Sequence, residues 1–341
     1  MKKSIPSIRR LVCCLLCLVI TVSALSACSS SSKPIKQSSL EAGVIATCEG
    51  FDICYDELRY ITRQVKDAIE LEQGKKIWED AALREEFLPE LRERVEKNLT
   101  INYAIFGFCK DYQITAEDPD IETAVQASID EAVNDLGGRK AYLAALEEDG
   151  LTDHFLRLNL AAEECRTALI YMLVDADLLI SDVTKFLSYA MDRNNFCATY
   201  HIYIQNDPGD SVEANRAQAE AVYAELLSGT PITSLMGKAY NEDVYQVKYP
   251  YYFTHNEMDP AYEEAAFALE DGGISPVVST DKGFYVICRQ PLDESYILNH
   301  ITTLMQQYQY AEVNSLLEIY RGQICVEWTD YGRSLDLTNL K

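Results

Sequence analysis

The chain has 341 residues, among them eleven cysteines and four histidines, and these are the side chains best suited to nucleophilic, acid–base or metal chemistry. His201 lies in the run Cys197–Ile204, which alternates and is rich in aromatic and β-branched residues, so it reads as a strand. Alternation puts His201 and Tyr203 on one face and Ile202 and Ile204 on the other, leaving His201 free to face a cleft. His154, His255 and His300 are read as structural or exposed. Cys13, Cys14 and Cys17 fall in an apolar N-terminal run, and Cys28 follows Leu25-Ser26-Ala27. Cys48, Cys54, Cys109, Cys165, Cys197, Cys288 and Cys325 remain, an odd set that leaves at least one thiol unpaired within a monomer. Cys48 and Cys54 flank a tight turn and could face each other across a hairpin, but a buried thiol is the expected state for most. The cysteine spacings match no zinc pattern, and there is no P-loop or dinucleotide fingerprint, so neither metal nor cofactor is expected.

The first forty residues have their own logic. Residues 1–10 carry Lys2, Lys3, Arg9 and Arg10 and no acid, residues 11–22 are uninterrupted apolar, and small residues precede Cys28. That order defines a secretory signal peptide, 1–27. The apolar run is short of the roughly 20 residues that a membrane-spanning helix needs. Leu-Ser-Ala-Cys resembles the bacterial lipobox, which implies that Cys28 is lipidated and becomes the new N-terminus; the alternative is an ordinary signal peptide with an incidental cysteine. The serine-rich segment 28–42 has no apolar period and suits a flexible, lipid-anchored tether.

The chain carries 54 acidic against 30 basic residues, a net charge of −24, and four of the bases leave with the signal. Such a surface argues against nucleic acid, where phosphate neutralisation dominates affinity, and against electrostatic attachment to anionic lipid. A solvated acidic face is the plain reading, with a weak preference for basic partners. The length after the signal, roughly 300 residues, allows two domains with real cores.

Behind the tether, Gly43–Cys54 reads as a small hairpin around Glu49-Gly50, and a helix follows from about Tyr55. A longer helix is expected from Ile77 to Cys109, kinked or split at Pro89. Others are expected over 114–138 and 139–150, then one capped by Thr152, then one from Ser181 to Asp192. After the strand at 196–204 come a helix over 211–229, a short helix from Thr230, a strand-like stretch over 246–254, a helix opened by Asp259-Pro260, and a strand pair around Asp281-Lys282-Gly283. One more helix is expected from Asp293 to Tyr320, and Cys325–Leu337 reads as extended. An all-helical stretch over 55–193 argues against the alternating strands and helices of a solute-binding lipoprotein.

Segment 196–291 resembles a parvulin-type (PpiC-like) peptidyl-prolyl isomerase domain. The resemblance is carried by His201-Ile202-Tyr203-Ile204; by Gly229, Ile232 and Leu235; by Asn241-Glu242-Asp243; by Met258, Tyr262, Ala265, Phe267 and Leu269; and by Gly273–Val277 followed by Gly283–Ile287. The flanks resemble SurA/PrsA-type extracytoplasmic foldases: IATCEGFDICYDELRY resembles their opening, and GGRKAYLAALEEDGLTDHFLRLNL their recurring Gly-Gly…Gly-Leu-Thr stretch. The family implies an α+β fold, a helical SurA/trigger-factor-like chaperone module with an inserted parvulin-like βαααβαββ domain. The organisation it implies is a helical domain over 43–195, the parvulin-like domain over 196–291, and a C-terminal helix and tail, 292–341, returning to the helical module.

By this resemblance His201, Asp243 and Tyr285 are the polar catalytic members, Tyr285 standing where the family has its second histidine and able to hydrogen-bond His201. Met258, Tyr262 and Phe267 would line the proline pocket, with Phe267 also fitting a plain core position. The implied function is that of a membrane-anchored extracytoplasmic foldase. It would isomerise X-Pro bonds in unfolded or extended exported polypeptides, with no cofactor and no nucleic acid. The alternative is a parvulin-like holdase that binds clients without turning their prolyl bonds. The loop VYQVKYPYY, at 244–252, stands in place of the family's Gly-Gly-x-Leu-Gly, which leads toward the cleft, so the resemblance does not fix the pocket's shape.

Overall fold

The computed structural model describes residues 43–73, 76–206, 211–241, 243, 249–280 and 282–340. The signal, the tether and Cys28 lie outside them, as do most of the turn at 206–210 and residues 244–248 of the departing loop. Two compact units emerge, one from residues up to Ile69 with Lys76–Leu169 and Leu317–Lys341, the other from Glu70–Lys75 and Ile170–Leu316.

In the first unit, β1 (Val44–Cys48) and β2 (Phe51–Cys54) form the hairpin, with Glu49 and Gly50 both at positive φ in the turn. Their register sets Cys54 opposite Val44 and Cys48 opposite Phe51, so the two thiols do not face each other; a bulge between Val44 and Ala46 shifts the pairing. Helix α1 (Tyr55–Gln73) is followed by α2 (Ala81–Lys110), whose N-terminus is capped by the Asp80 carboxylate accepting from Ala82 and Leu83. Pro89 sits inside α2 and neither splits nor ends it. Buried Leu91, Val95, Leu99, Tyr103 and Phe106 hold this 30-residue helix to its unit. Helices α3 (Pro119–Asp135), α4 (Arg139–Asp149) and α5 (Asp153–Asp175) follow. The expected cap is present: Thr152 Oγ1 accepts from the Phe155 amide at 3.0 Å.

After the end of α5, the second unit contains α6 (Val183–Ala190), β3 (Phe196–Gln205), α7 (Val212–Leu227), α8 (Ile232–Leu235), β4 (Tyr251–Thr254), α9 (Pro260–Ala268), β5 (Val278–Thr280) and β6 (Gly283–Gln290). Among the described residues two helices, α7 and α8, lie between β3 and β4. The sheet order is β4-β3-β6-β5, antiparallel throughout. One face buries Ile202, Ile204, Phe284 and Val286 against Ala219, Val222 and Leu226 of α7. The other packs Cys197, Phe253 and Ile287 against Tyr262 and Ala266 of α9. A third cluster joins Phe186, Phe196 and Tyr252 to Ile297, Leu304 and Tyr308. At Gly283 a Cβ would collide with the Ile204 carbonyl, so the β3–β6 pairing requires glycine there.

Two expectations for the C-terminal region are corrected. The single helix over 293–320 is two, α10 (Glu294–Asn299) and α11 (Ile301–Arg321). His300 between them leaves helical geometry (φ −117°, ψ 15°), and its ring Nδ1 lies 2.8 Å from the Tyr296 carbonyl, which also accepts from the His300 amide at 3.1 Å. The tail is not simply extended. It forms β7 (Glu327–Trp328), which pairs antiparallel with β1, then α12 (Asp330–Ser334), capped by Thr329, and a 3-10 turn over Leu337–Asn339. Gly332 lies so close to the Ile45 carbonyl that no Cβ fits.

Candidate active site

Strand β3 is hydrogen-bonded on both sides, which fixes the heights of its side chains. Thr199 pairs with Tyr251 of β4, His201 with Ile287 and Tyr203 with Tyr285 of β6. Facing residues of an antiparallel pair point to one side of the sheet. Thr199, His201 and Tyr203 therefore share the α9 face with Tyr251 and Tyr285, while Ile202 and Ile204 enter the α7 core.

His201 is 4 % exposed, and both ring nitrogens are engaged. Nε2 lies 2.8 Å from Asp243 Oδ2 and Nδ1 lies 2.8 Å from the Tyr262 hydroxyl. Tyr262 Oη is in turn 2.7 Å from Thr199 Oγ1, and the Tyr251 hydroxyl donates to Asp243 Oδ1 at 3.3 Å. Burial pushes the His201 pKa below its ordinary value, against the opposing pull of Asp243, and so favours the neutral ring. An ionised carboxylate only accepts, so Nε2 carries the proton. Nδ1 then accepts from Tyr262, and Tyr262 accepts from Thr199. The result is one directed chain of hydrogen bonds from Thr199 to Asp243. Burial also drives the Tyr262 hydroxyl well above its usual pKa, so it stays a donor.

Aromatic rings surround this chain. Tyr251 stacks on His201 (5.3 Å, 6°), while Tyr262 and Tyr285 meet the imidazole edge-on at 5.4 and 5.1 Å. Tyr203 and Tyr285 stack on each other at 4.4 Å. Burial is the main cause that raises the Tyr285 hydroxyl above its ordinary pKa.

Two buried polar residues position the set. Asn241 donates to the Met236 carbonyl (2.7 Å) and the Asp243 carbonyl (3.0 Å), while its Oδ1 accepts from the Tyr203 amide (3.0 Å), tying the Asp243 loop to β3. Arg289, 1 % exposed, donates to the carbonyls of Phe267 (2.9 Å) and Leu269 (3.1 Å) at the end of α9 and to that of Arg193 (2.6 Å). It satisfies the open C-terminus of the helix that carries Tyr262.

The residues anticipated from the sequence separate into two groups. His201, Asp243, Tyr262 and Tyr285 come together as described. Tyr262, however, is 1 % exposed and lies beneath the imidazole instead of forming an open pocket wall. Met258 is partly buried against the α9-side core. Phe267 packs on Phe253 (5.7 Å) and His255 (4.0 Å), a core environment. Thr199, Tyr251 and Arg289 were not anticipated. Thr199 sits two residues before His201 on one strand, a spacing that could have found it.

Residues 201–290 match the model of the rotamase family, the PPIC-type PPIase domain, and the chain thus carries a parvulin-type domain. Over most of its length the chain is also similar to the foldase protein PrsA of Caldanaerobacter subterraneus subsp. tengcongensis, with 24 % identity over 321 residues, 89 % of this chain and 94 % of the relative. Among solved structures, the foldase protein PrsA of Streptococcus pneumoniae aligns over 83 % of this chain and 92 % of its own, with a TM-score of 0.37 and 16 % identity. A structure of the SurA-like chaperones PEB4 and Cj1289 of Campylobacter jejuni aligns over 85 % of this chain and 100 % of its own, with a TM-score of 0.26 and 14 % identity.

Proposed function

We propose that this chain is an extracytoplasmic foldase that isomerises X-Pro bonds of exported polypeptides, held at a membrane by lipid on Cys28. The reading divides the chain into signal (1–27), tether (28–42), helical client-binding domain (43–195), isomerase domain (196–291) and a C-terminal return (292–341). No described helix is long and apolar enough to cross a membrane. The observation that carries the catalytic part is His201, buried with both ring nitrogens hydrogen-bonded inside a domain of the rotamase family.

Amide resonance sets a barrier of about 18–20 kcal/mol to rotation of a peptide bond. Lowering it requires no proton transfer, only better binding of the twisted amide than of either planar form. Partly exposed Tyr203, Tyr251, Tyr285 and Met258 offer an apolar surface for the prolyl ring. The Tyr285 hydroxyl, kept protonated by burial, is a donor for the amide atoms as they lose conjugation. His201, Asp243 and Tyr262 serve as a rigid polar foundation, directed by their hydrogen bonds and needing no reorganisation during the rotation. Of the three expected pocket residues, Met258 belongs to the wall of this site, while Tyr262 supports the imidazole from below and Phe267 packs in the core.

The test is proline-limited refolding of a model protein with the full chain and with His201→Ala. Catalytic acceleration that the variant loses supports the isomerase. Tyr285 at the family's second histidine position is the feature that favours the holdase alternative. Suppressed aggregation of the model protein without acceleration would select it.

A further inference from the structure

The first unit holds a second polar cluster that the isomerase reading does not use. Where β2 runs into α1, the Cys54 thiol and the Asp56 and Glu57 carboxylates meet His154 from the first turn of α5. One donor atom from each of the four lies within 4.8 Å of every other. We propose that these four side chains form a binding site for a thiophilic divalent cation of the zinc class.

Part of the arrangement has a structural explanation. Glu57 Oε1 accepts from the Cys54 amide at 2.7 Å, the reach-back of a capping box, and Asp56 Oδ2 accepts from the Thr152 hydroxyl that caps α5. These bonds leave several things unexplained. Asp56 and Glu57 are each 1 % exposed, so two adjacent carboxylates are buried together. Asp56 Oδ1 is buried with no hydrogen-bond partner. The cations near the pair are His154, with Nδ1 3.0 Å from Asp56 Oδ2, and Arg59, which spends Nη2 on the Gly150 carbonyl at 2.6 Å. Buried carboxylates are paired or bind metal, and in this pair Asp56 Oδ1 is left without a hydrogen-bond partner.

The donor set identifies the class of ion. Thiolate and imidazole favour zinc-like ions, and would be poor choices for calcium or magnesium. Zinc bonds of about 2.0–2.3 Å in a tetrahedron place neighbouring donors roughly 3.3–3.8 Å apart, within reach of the present spacing after small side-chain shifts. An outer layer is in place: the Tyr103 hydroxyl donates to Glu57 Oε2 at 2.7 Å and Thr152 holds Asp56, fixing both carboxylates. His154 is 39 % exposed at its side chain and borders a cleft between α3 and α5, which gives the ion an entry route. On binding, the Cys54 thiol loses its proton to solvent as the sulfur–metal bond forms.

The full chain, reduced and stripped with chelator, is titrated with Co2+. One equivalent should bind with a thiolate-to-cobalt charge-transfer band and tetrahedral visible bands, both erased by Zn2+, and Zn2+ should raise the thermal midpoint. Cys54→Ser should remove the charge-transfer band, and His154→Ala should weaken binding about 10–100-fold. Cys325→Ser, an exposed thiol outside the cluster, should change neither. Absence of the band in the unmodified chain overturns the proposal, as does a band that survives Cys54→Ser or disappears with Cys325→Ser. The unmodified chain decides the matter even if a variant unfolds.

Discussion

The Tyr262 hydroxyl donates to Nδ1 of His201 across 2.8 Å, joining the first turn of α9 to the middle of β3 over 61 residues of sequence. The same oxygen accepts from Thr199, so removing it strands two buried groups at once. Tyr262→Phe should therefore cost about 1–3 kcal/mol of stability and, by loosening the imidazole, lower kcat/KM for a prolyl peptide about tenfold. Urea denaturation and a coupled isomerase assay read the two effects separately.

Tyr285 separates ring from hydroxyl. Tyr285→Phe keeps the stack on Tyr203 and the edge contact with His201, and should leave stability within about 1 kcal/mol while reducing isomerase turnover. Tyr285→Ala should also destabilise, by about 2–4 kcal/mol. Full turnover in Tyr285→Phe would remove the hydroxyl from the proposed chemistry.

Arg289 is matched to its carbonyls by the fixed fork of a guanidinium. Arg289→Lys keeps the charge but cannot reach α9 and Arg193 together, and should cost about 2–4 kcal/mol. Denaturation midpoints of the full chain and the lysine variant give the comparison.

Burial raises Glu257 to about 7, and its Oε1 has no hydrogen-bond partner. A carboxyl whose folded pKa lies above its unfolded value binds more protons when folded, so its stabilising contribution is full below about 4.5 and is lost as pH rises through about 7. Glu257→Gln should accordingly stabilise the protein at pH ~8 by about 1–2 kcal/mol, with little gain at pH ~4, in paired denaturant titrations. Equal gains at both pH values would contradict the assignment.

Cys28→Ser tests the anchor. Expressed in a bacterium that processes lipoproteins, the unmodified chain should partition with membranes and incorporate a labelled fatty acid. The variant should do neither. Labelling that persists in the variant would place the lipid elsewhere.

Much of the site was readable because β3 obeys a local rule. Alternation along Thr199–Ile204 alone sets His201 apart from the apolar core, and Thr199 was within reach of the same argument. Asp243 and Tyr285 emerged only by family resemblance, since no period links them to His201. Tyr251 and Arg289 were hidden for a different reason: each acts across paired strands or at a helix end, and register is a long-range property. The break at His300 escaped because a single residue leaves helical φ/ψ within an otherwise amphipathic run, which a hydrophobic period does not register. The Cys54–His154 cluster was equally hidden, its members lying at the β2–α1 junction and in the first turn of α5, far apart in sequence.

In the three-stranded sheet, β1 lies between β2 and β7, so a strand near the start of the folded chain is completed by one near its end. A polypeptide that emerges N-terminus first presents Val44–Cys48 early and Glu327–Trp328 almost last. Until then one edge of β1 stays open, while the contiguous stretch Ile170–Leu316 can already close its own sheet. The helical unit is thus the last to be finished, and its exposed edge during that interval can pair with another extended chain.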